Sequence, residues 1–186
     1  MLGLIYAQYK KYIQQTYGVP YWDNMLVSSS IANIDYNIAI PYPDDHLLDL
    51  LRAVVSINGS SREEEEHKFG FFLGHELIKL YGSYIKPNWK TLDLLENAEH
   101  YMHEFVRSNN PEASPPVLTT KRVSDIKVTI HYNSHRQLLR LAVGIIQGIA
   151  DYFGESEILS VDIASYAKTM KSKISVRCAE DIDFNA

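Results

Sequence analysis

Tyr132, Ser134 and Arg136 are the residues of this sequence whose types and spacing are best suited to binding a ligand. They stand at the end of an alternating stretch that predicts a β-strand, and a spacing of two places their side chains on one face while the strand continues. Arginine offers a rigid pair of donors to a carboxylate, and hydroxyl groups can donate beside it. The pattern therefore suits a carboxylate ligand, but a solvated polar strand end has the same spacing, and both interpretations stay open.

Two histidines, His100 and His103, lie three residues apart in a segment that predicts a helix, so they could share a metal ion. A di-iron carboxylate site would need Glu-x-x-His pairs on two helices, and the neighbouring residues do not supply them. A zinc hydrolase motif begins at His75 but fails at Lys79, where its second histidine should stand. A single axial histidine in a flat apolar cavity would suit a haem iron. An ordinary structural role is the competing interpretation for each histidine.

The surrounding elements are mostly helical, and strands are expected mainly in the second half of the chain. Apolar residues recur at helical spacing in the segments Leu2 to Tyr17, Trp22 to Val27, Asp44 to Asn58, Glu63 to Leu80, Lys90 to Ser108 and Leu138 to Phe153. Ser60 is the predicted N-cap of the fourth helix. Alternation or β-rich composition predicts strands at Ile126 to His131, Ile158 to Tyr166 and Ser172 to Cys178, with a loop at Asn109 to Lys121. These strands favour an antiparallel sheet and an α+β fold.

Composition narrows the classes of function. A chain of 186 residues with 46% apolar content predicts one globular domain. A net charge of −5 without a basic block argues against nucleic-acid binding. No apolar run reaches the roughly 20 residues of a membrane helix, and the N-terminus does not resemble a signal peptide, so we expect a cytoplasmic protein. Cys178 is the single cysteine, which excludes an internal disulfide and a cysteine-rich zinc site; we expect it to be a strand residue.

The sequence resembles the haem-nitric oxide/oxygen-binding (H-NOX) family over nearly its whole length. The resemblance rests on Met1-Leu2-Gly3-Leu4-Ile5, Tyr17-Gly18, Phe69-Gly70, a histidine-bearing helix and Tyr132-x-Ser134-x-Arg136. The last motif is the most specific. In the family it binds the haem propionates, and the resemblance implies this role for Tyr132, Ser134 and Arg136.

The resemblance also implies how the haem is held. It predicts a single domain, 1–186, in which haem b is buried between a distal helical lobe, about 1–60, and a proximal lobe with a sheet and a long helix, about 61–186. In the family the histidine that ligates the iron stands 13 residues before a proline that presses on the porphyrin. Pro116 lies 13 residues after His103, whereas the corresponding residue for His100 is Ala113. His103 is therefore the predicted iron ligand, and His100 becomes a surface or neighbouring residue.

The residues expected on the other side of the haem predict which gas binds. In O₂-binding members a tyrosine stands three residues before the glycine of the long helix, and that position here is Leu141. Leu73 and Leu77 occupy two further distal positions, and Ile5 and Ile145 are expected to touch the porphyrin. A pocket without a donor favours NO, because bound O₂ carries negative charge that needs a donor. The resemblance thus predicts an NO-selective protein that also binds CO.

Three alternatives remain, one of which is a haem-free helical adaptor. Tyr9 falls where the family often has an aromatic residue lining the pocket, so its hydroxyl could make the protein an O₂ binder; a buried filler is the competing interpretation. A haem enzyme would instead need an acid/base pair near the haem, which the three leucines do not provide.

Signalling is expected to pass to another protein. Stand-alone bacterial members of the family act on a histidine kinase or on a cyclic-di-GMP enzyme in trans, and the resemblance implies such a partner. It also implies a two-state switch, in which NO frees the helix bearing His103 to shift against the lobe bearing Tyr132 to Arg136. No catalytic role is predicted for the chain itself.

Overall fold

Seven α-helices and one four-stranded sheet form the described part of the chain, residues 1–29, 31, 35–165 and 171–179 of a computed structural model. The helices are α1 (Gly3–Tyr17), α2 (Val19–Ser28), α3 (Asp45–Asn58), α4 (Arg62–Tyr81), α5 (Thr91–Ala98), α6 (Phe105–Asn109) and α7 (Leu139–Tyr152). The strands are β1 (Val117–Ser124), β2 (Lys127–Asn133), β3 (Leu159–Ser165) and β4 (Lys171–Cys178). A π-helical segment, Glu99–Glu104, joins α5 to α6. The predicted α+β class is confirmed.

The sheet is antiparallel throughout, in the order β1-β2-β4-β3. Val128, Ile130 and Tyr132 of β2 are buried, while His131 is exposed, so one face of the sheet packs on the helices. Ile130 is paired with Ile174 of β4, which continues the buried row. Cys178 is a buried strand residue at the end of β4, as expected, and burial raises the pKa of its thiol to about 11.

Helices α4 and α7 cross at very short range because glycines meet at the crossing. A Cβ atom on Gly70 would lie 2.3 Å from the carbonyl oxygen of Leu141, and one on Gly144 would lie 2.3 Å from that of His67. Gly74 and Gly148 repeat this arrangement one turn further along. The contact explains why two helices tolerate glycines that each cost roughly 1 kcal/mol relative to alanine.

Two apolar cores lie on either side of this helix pair. The first combines α1, α2 and α3 with residues of α4 and α7, such as Phe69 and Leu141. The second combines α5, the sheet and the remainder of α7, including Ile130 and Ile146. Helix α7 therefore contributes to both cores, which explains the wide apolar face predicted from its sequence. None of the described helices is long and apolar enough to cross a membrane.

Several predicted boundaries differ from the structure. Ser61, not Ser60, caps α4: its hydroxyl accepts the backbone N–H of Glu64 at 3.1 Å. Strand β1 occupies the end of the predicted loop Asn109 to Lys121. The predicted helix from Lys90 to Ser108 is divided by the π-helical segment. Tyr166, the last residue of a predicted strand, lies outside the described residues.

Candidate functional site

A mainly apolar cavity of about 220 Å³ is lined by residues of both cores. The structure brings together most of the residues that the sequence analysis selected. Those that line the cavity are Ile5, Leu73, Leu77, His103, Pro116, Tyr132, Ser134, Arg136, Leu141 and Ile145. They come from α1, α4, the π-helical segment, the loop before β1, strand β2 with the turn after it, and α7.

One wall of the cavity consists of aliphatic side chains from α4 and α7, together with Ile5 of α1. Leu73 and Leu77 are one turn apart on α4, and Leu141 and Ile145 are one turn apart on α7, so each pair presents one face to the cavity. Tyr81 lines the cavity one turn beyond Leu77. Tyr81 was not among the predicted site residues, although its spacing of four residues from Leu77 was a usable signal.

Tyr9 is the predicted site residue that does not appear among those lining the cavity. It is fully buried in the first core, where its ring packs edge-on against Phe69 with the ring centres 4.8 Å apart. Its hydroxyl has no hydrogen-bond partner among the described residues. Burial raises the pKa of Tyr9 well above its usual value, so the hydroxyl stays protonated.

The two histidines of the π-helical segment have different environments. The side chain of His103 is 22% exposed and lines the cavity. The side chain of His100 is 73% exposed, and its Nδ1 lies 2.8 Å from Oε2 of Glu104. A π-helical turn carries one more residue than an α-helical turn, and such turns frequently mark functional positions.

Glu99 is a site residue that sequence analysis missed. Its Oε2 lies 3.2 Å from Nδ1 of His103 and accepts the backbone N–H of Leu118 at 2.8 Å. Its Oε1 forms an ion pair with Arg107. Burial opposes ionisation of Glu99, but the hydrogen bonds from His103, Leu118 and Arg107 outweigh it and lower the pKa of Glu99 to about 2. The spacing of four from His103 was visible in the sequence, whereas the contact with Leu118 was not.

Tyr132, Ser134 and Arg136 all line the cavity, although β2 ends at Asn133. Tyr132 and Ser134 are buried. Arg136 follows in a turn, and its Nη2 donates to the hydroxyl of Ser114 at 3.0 Å. The backbone of Gln137 has φ +53°, a left-handed conformation that is uncommon outside glycine. This turn, rather than a continued strand, carries the guanidinium of Arg136 to the cavity.

Asp44, just before α3, joins the first core to this turn. Its Oδ1 lies 2.7 Å from the amino group of Met1 and 2.8 Å from Nε of Arg136. Its Oδ2 lies 2.8 Å from Nε2 of His135. Burial opposes ionisation of Asp44, but the hydrogen bonds from the amino group of Met1, Arg136 and His135 outweigh it and hold its pKa well below the usual range. Asp44 was predicted only as part of a helix start, and its contact with Arg136 was not predicted.

These residues fit a haem group. Its ring needs apolar walls, its iron needs a histidine nitrogen, and its propionates need donors. The cavity supplies aliphatic walls, His103, and a set of two hydroxyls and a guanidinium. The cavity, between a helical lobe and a sheet, thus has the chemical features of a haem site.

The sequence profile of the family described as Haem-NO-binding matches residues 2–160, and the chain belongs to this family of haem-based gas sensors. It is 22% identical over 161 residues to soluble guanylate cyclase gcy-31 of Caenorhabditis elegans. That match covers 86% of this chain but 23% of the cyclase, so the chain spans less than a quarter of that relative.

Solved structures share the fold. An H-NOX protein from S. oneidensis in the Fe(II)NO ligation state has a TM-score of 0.86 at 17% identity, covering 96% of this chain and 99% of that one. An oxygen-binding H-NOX domain related to soluble guanylate cyclases, solved as its oxygen complex, has a TM-score of 0.82 at 20% identity, covering 96% and 95%. Together with the family match, these likenesses confirm the predicted family and fold, and the family match implies the haem cofactor.

Proposed function

We propose that this chain is an NO-selective sensor in which His103 is the axial ligand of haem b. The position of His103 in the cavity wall carries this proposal, because His100, three residues away, is largely exposed. When bound, the haem supplies the ferrous iron at which NO or CO binds. The chain supplies the ligand, the walls and the donors around it.

Four further residues are proposed to hold and shape the cofactor from the side of His103. Tyr132, Ser134 and Arg136 bind the propionates, since they place two hydroxyls and a guanidinium on one cavity. Pro116 contacts the porphyrin from the same side as His103. Nη1 of Arg107 donates to the carbonyl oxygen of Pro116 at 3.4 Å, which fixes this proline relative to the histidine-bearing helix.

The proposed selectivity for NO follows from the opposite wall. Its aliphatic lining residues are Ile5, Leu73, Leu77, Leu141 and Ile145, and we assign Ile5 and Ile145 to contact with the porphyrin. These side chains carry no donor, so O₂ would gain no hydrogen bond from them, whereas NO does not need one. Tyr81 is the hydroxyl-bearing residue of α4 in the cavity wall and is the donor to test first. We do not assign that role to Tyr9, whose ring lies in the first core.

The proposed setting is a bacterial cytoplasm, where the gas signal passes from this chain to a histidine kinase or a cyclic-di-GMP enzyme. We propose that about 1–60 form the distal subdomain and about 61–186 the proximal one. Helix α7 and helix α4 contact both cores. A shift of one subdomain against the other would therefore pass through these two helices.

Absorption spectra test the proposal. The reduced protein should bind NO and CO and should form no stable complex with O₂. His103→Ala should lose haem or hold it only when free imidazole is added, and the matched variant His100→Ala should behave like the wild type. A stable O₂ complex would contradict the selectivity, and its loss in Tyr81→Phe would assign the donor. Unaided haem retention with an unchanged spectrum in His103→Ala would contradict the ligand assignment.

A further inference from the structure

Glu99 contacts His103 through a carboxylate that is held from three directions. Its Oε2 faces Nδ1 of His103 at 3.2 Å and accepts the N–H of Leu118 at 2.8 Å, while Oε1 is bound by Arg107. The side chain of Glu99 is 19% exposed. Because Leu118 belongs to β1, this carboxylate also ties the π-helical segment to the edge of the sheet. Its position is therefore set by tertiary contacts as well as by helical spacing.

This contact determines which nitrogen of His103 is available to a metal. An ionised carboxylate can only accept a hydrogen bond, so the proton of a neutral His103 must be on Nδ1. The lone pair is then on Nε2. Histidine ligands commonly donate their second N–H to a carboxylate, which orients the ring and makes the ligating nitrogen more electron-rich. Glu99 stands where that acceptor is needed.

Arg107 weakens the electronic effect of Glu99 on His103. Its guanidinium is an always-charged donor that takes the other oxygen of the same carboxylate. The negative charge that Glu99 presents to His103 is therefore reduced by the competing cation. Glu99 and Arg107 should consequently change the donor strength of His103 in opposite directions.

We propose that Glu99 is a positioning residue that orients and polarises His103, and that Arg107 limits how strongly it does so. The inference rests on the proposed role of His103 as the iron ligand. It adds that the strength of the iron–histidine bond in this chain is set by an ion pair outside the haem cavity. Since the proposed signal depends on how easily that bond yields, the pair would also tune the response to NO.

The same segment provides a matched control. His100 and Glu104 form a second histidine–carboxylate contact at the same spacing, with Nδ1 2.8 Å from Oε2. Both side chains are largely exposed, at 73% and 54%, and neither residue appears among those lining the cavity. Glu104→Gln thus makes the same chemical change on the same segment without touching His103.

The test compares Glu99→Gln, Arg107→Met and Glu104→Gln in the haem-loaded ferrous protein. The measurements are the iron–histidine stretching frequency by resonance Raman spectroscopy and the reduction potential of the haem. Glutamine keeps an oxygen acceptor for Leu118 but loses the charge. We expect Glu99→Gln to lower the frequency and raise the potential, Arg107→Met to shift both in the opposite sense, and Glu104→Gln to leave both unchanged. Haem release from Glu99→Gln should be about 10-fold faster or more.

Opposite shifts are the decisive result, because loss of structure alone would move both variants in the same sense. Shifts of the same sign, or an unchanged frequency in either variant, would overturn the proposal. If Glu99→Gln does not fold, the direction of the shift in Arg107→Met still decides. The ligand assignment is tested separately: if His103→Ala keeps the iron–histidine band, His103 is not the ligand, and the proposed function fails before Glu99 is considered.

Discussion

The crossing of α4 and α7 predicts that Gly144→Ala weakens the fold and the haem site together. The added Cβ would lie 2.3 Å from the carbonyl oxygen of His67 and 2.8 Å from the backbone nitrogen of Phe71. Ordinary contacts of this kind are about 1 Å longer, and backbone atoms cannot rotate away as a side chain does. The two helices must therefore separate along the contact.

The expected loss of stability in Gly144→Ala is the difference between two opposing effects. Overpacking a close contact costs about 1–3 kcal/mol, and alanine recovers up to about 1 kcal/mol through its better helix propensity. Because the close atoms belong to the backbone, the overpacking cost lies near the upper end of this range, and we expect a net loss of about 2 kcal/mol in the free energy of unfolding. With a typical urea dependence for a small domain, this lowers the unfolding midpoint by about 1 M. Leu73 of α4 and Ile145 of α7 line the cavity, so haem release should also become faster.

Urea unfolding of the haem-free protein, followed by circular dichroism, provides the measurement. Gly82→Ala is the control, because Gly82 has helical angles, φ −54° and ψ −32°, and a Cβ there would meet nothing within 4 Å. That change should be neutral or stabilise the protein by about 0.4–1 kcal/mol. A Gly144→Ala protein as stable as Gly82→Ala would refute the argument that close backbone contact joins these helices.

Three further predictions concern single residues. Asp44→Asn should cost about 2 kcal/mol at neutral pH by removing the carboxylate shared by Met1 and Arg136. Because folding lowers the pKa of Asp44, its carboxylate stabilises the fold fully at a pH above about 3.8, the pKa in the unfolded chain, and this stabilisation is lost as the pH falls through the lower pKa of the folded state. The denaturation curves of the wild type and Asp44→Asn should therefore converge on acidification. A difference in stability that does not change with pH would contradict this. Leu141→Tyr should give the ferrous protein a stable O₂ complex in its absorption spectrum, which the wild type is expected to lack, because the tyrosine hydroxyl can donate to bound O₂; a spectrum that O₂ leaves unchanged would contradict the role of pocket polarity. Tyr9→Phe should leave NO and O₂ binding unchanged, and altered gas kinetics would place its hydroxyl in the pocket.

Local patterns were sufficient for most elements of the fold. The apolar spacing of α3, α4 and α7 predicted these helices, since an amphipathic stripe is a local property. Alternation predicted β2 in the same way. Strand β1 was missed because it is an edge strand in which no side chain is fully buried, so its sequence carries little alternation of apolar residues. The π-helical segment was missed because one extra residue in a turn leaves the composition of a helix unchanged.

The site residues also divide into those that a local pattern predicts and those whose position depends on tertiary contacts. The motif Tyr132-x-Ser134-x-Arg136 is local, and its three side chains do meet at one cavity, although a turn and not a strand delivers Arg136. Tyr9 shows the limit of such reasoning. Its position in the sequence suits a pocket residue, yet its ring packs on Phe69 in the first core. Which side of a helix faces a cavity depends on the partners of that helix.

The amino-acid pattern alone was enough for the class of fold, the H-NOX resemblance with its haem, and a short set of candidates that contained both His100 and His103. Tertiary structure decided which candidates share a cavity and what surrounds them. Asp44 meets Arg136 across 92 positions of the chain, and Glu99 meets Leu118 across 19. The physical reason is that hydrogen bonds and ion pairs act over a few ångströms in space, whereas sequence patterns report only the neighbours along one helix or strand.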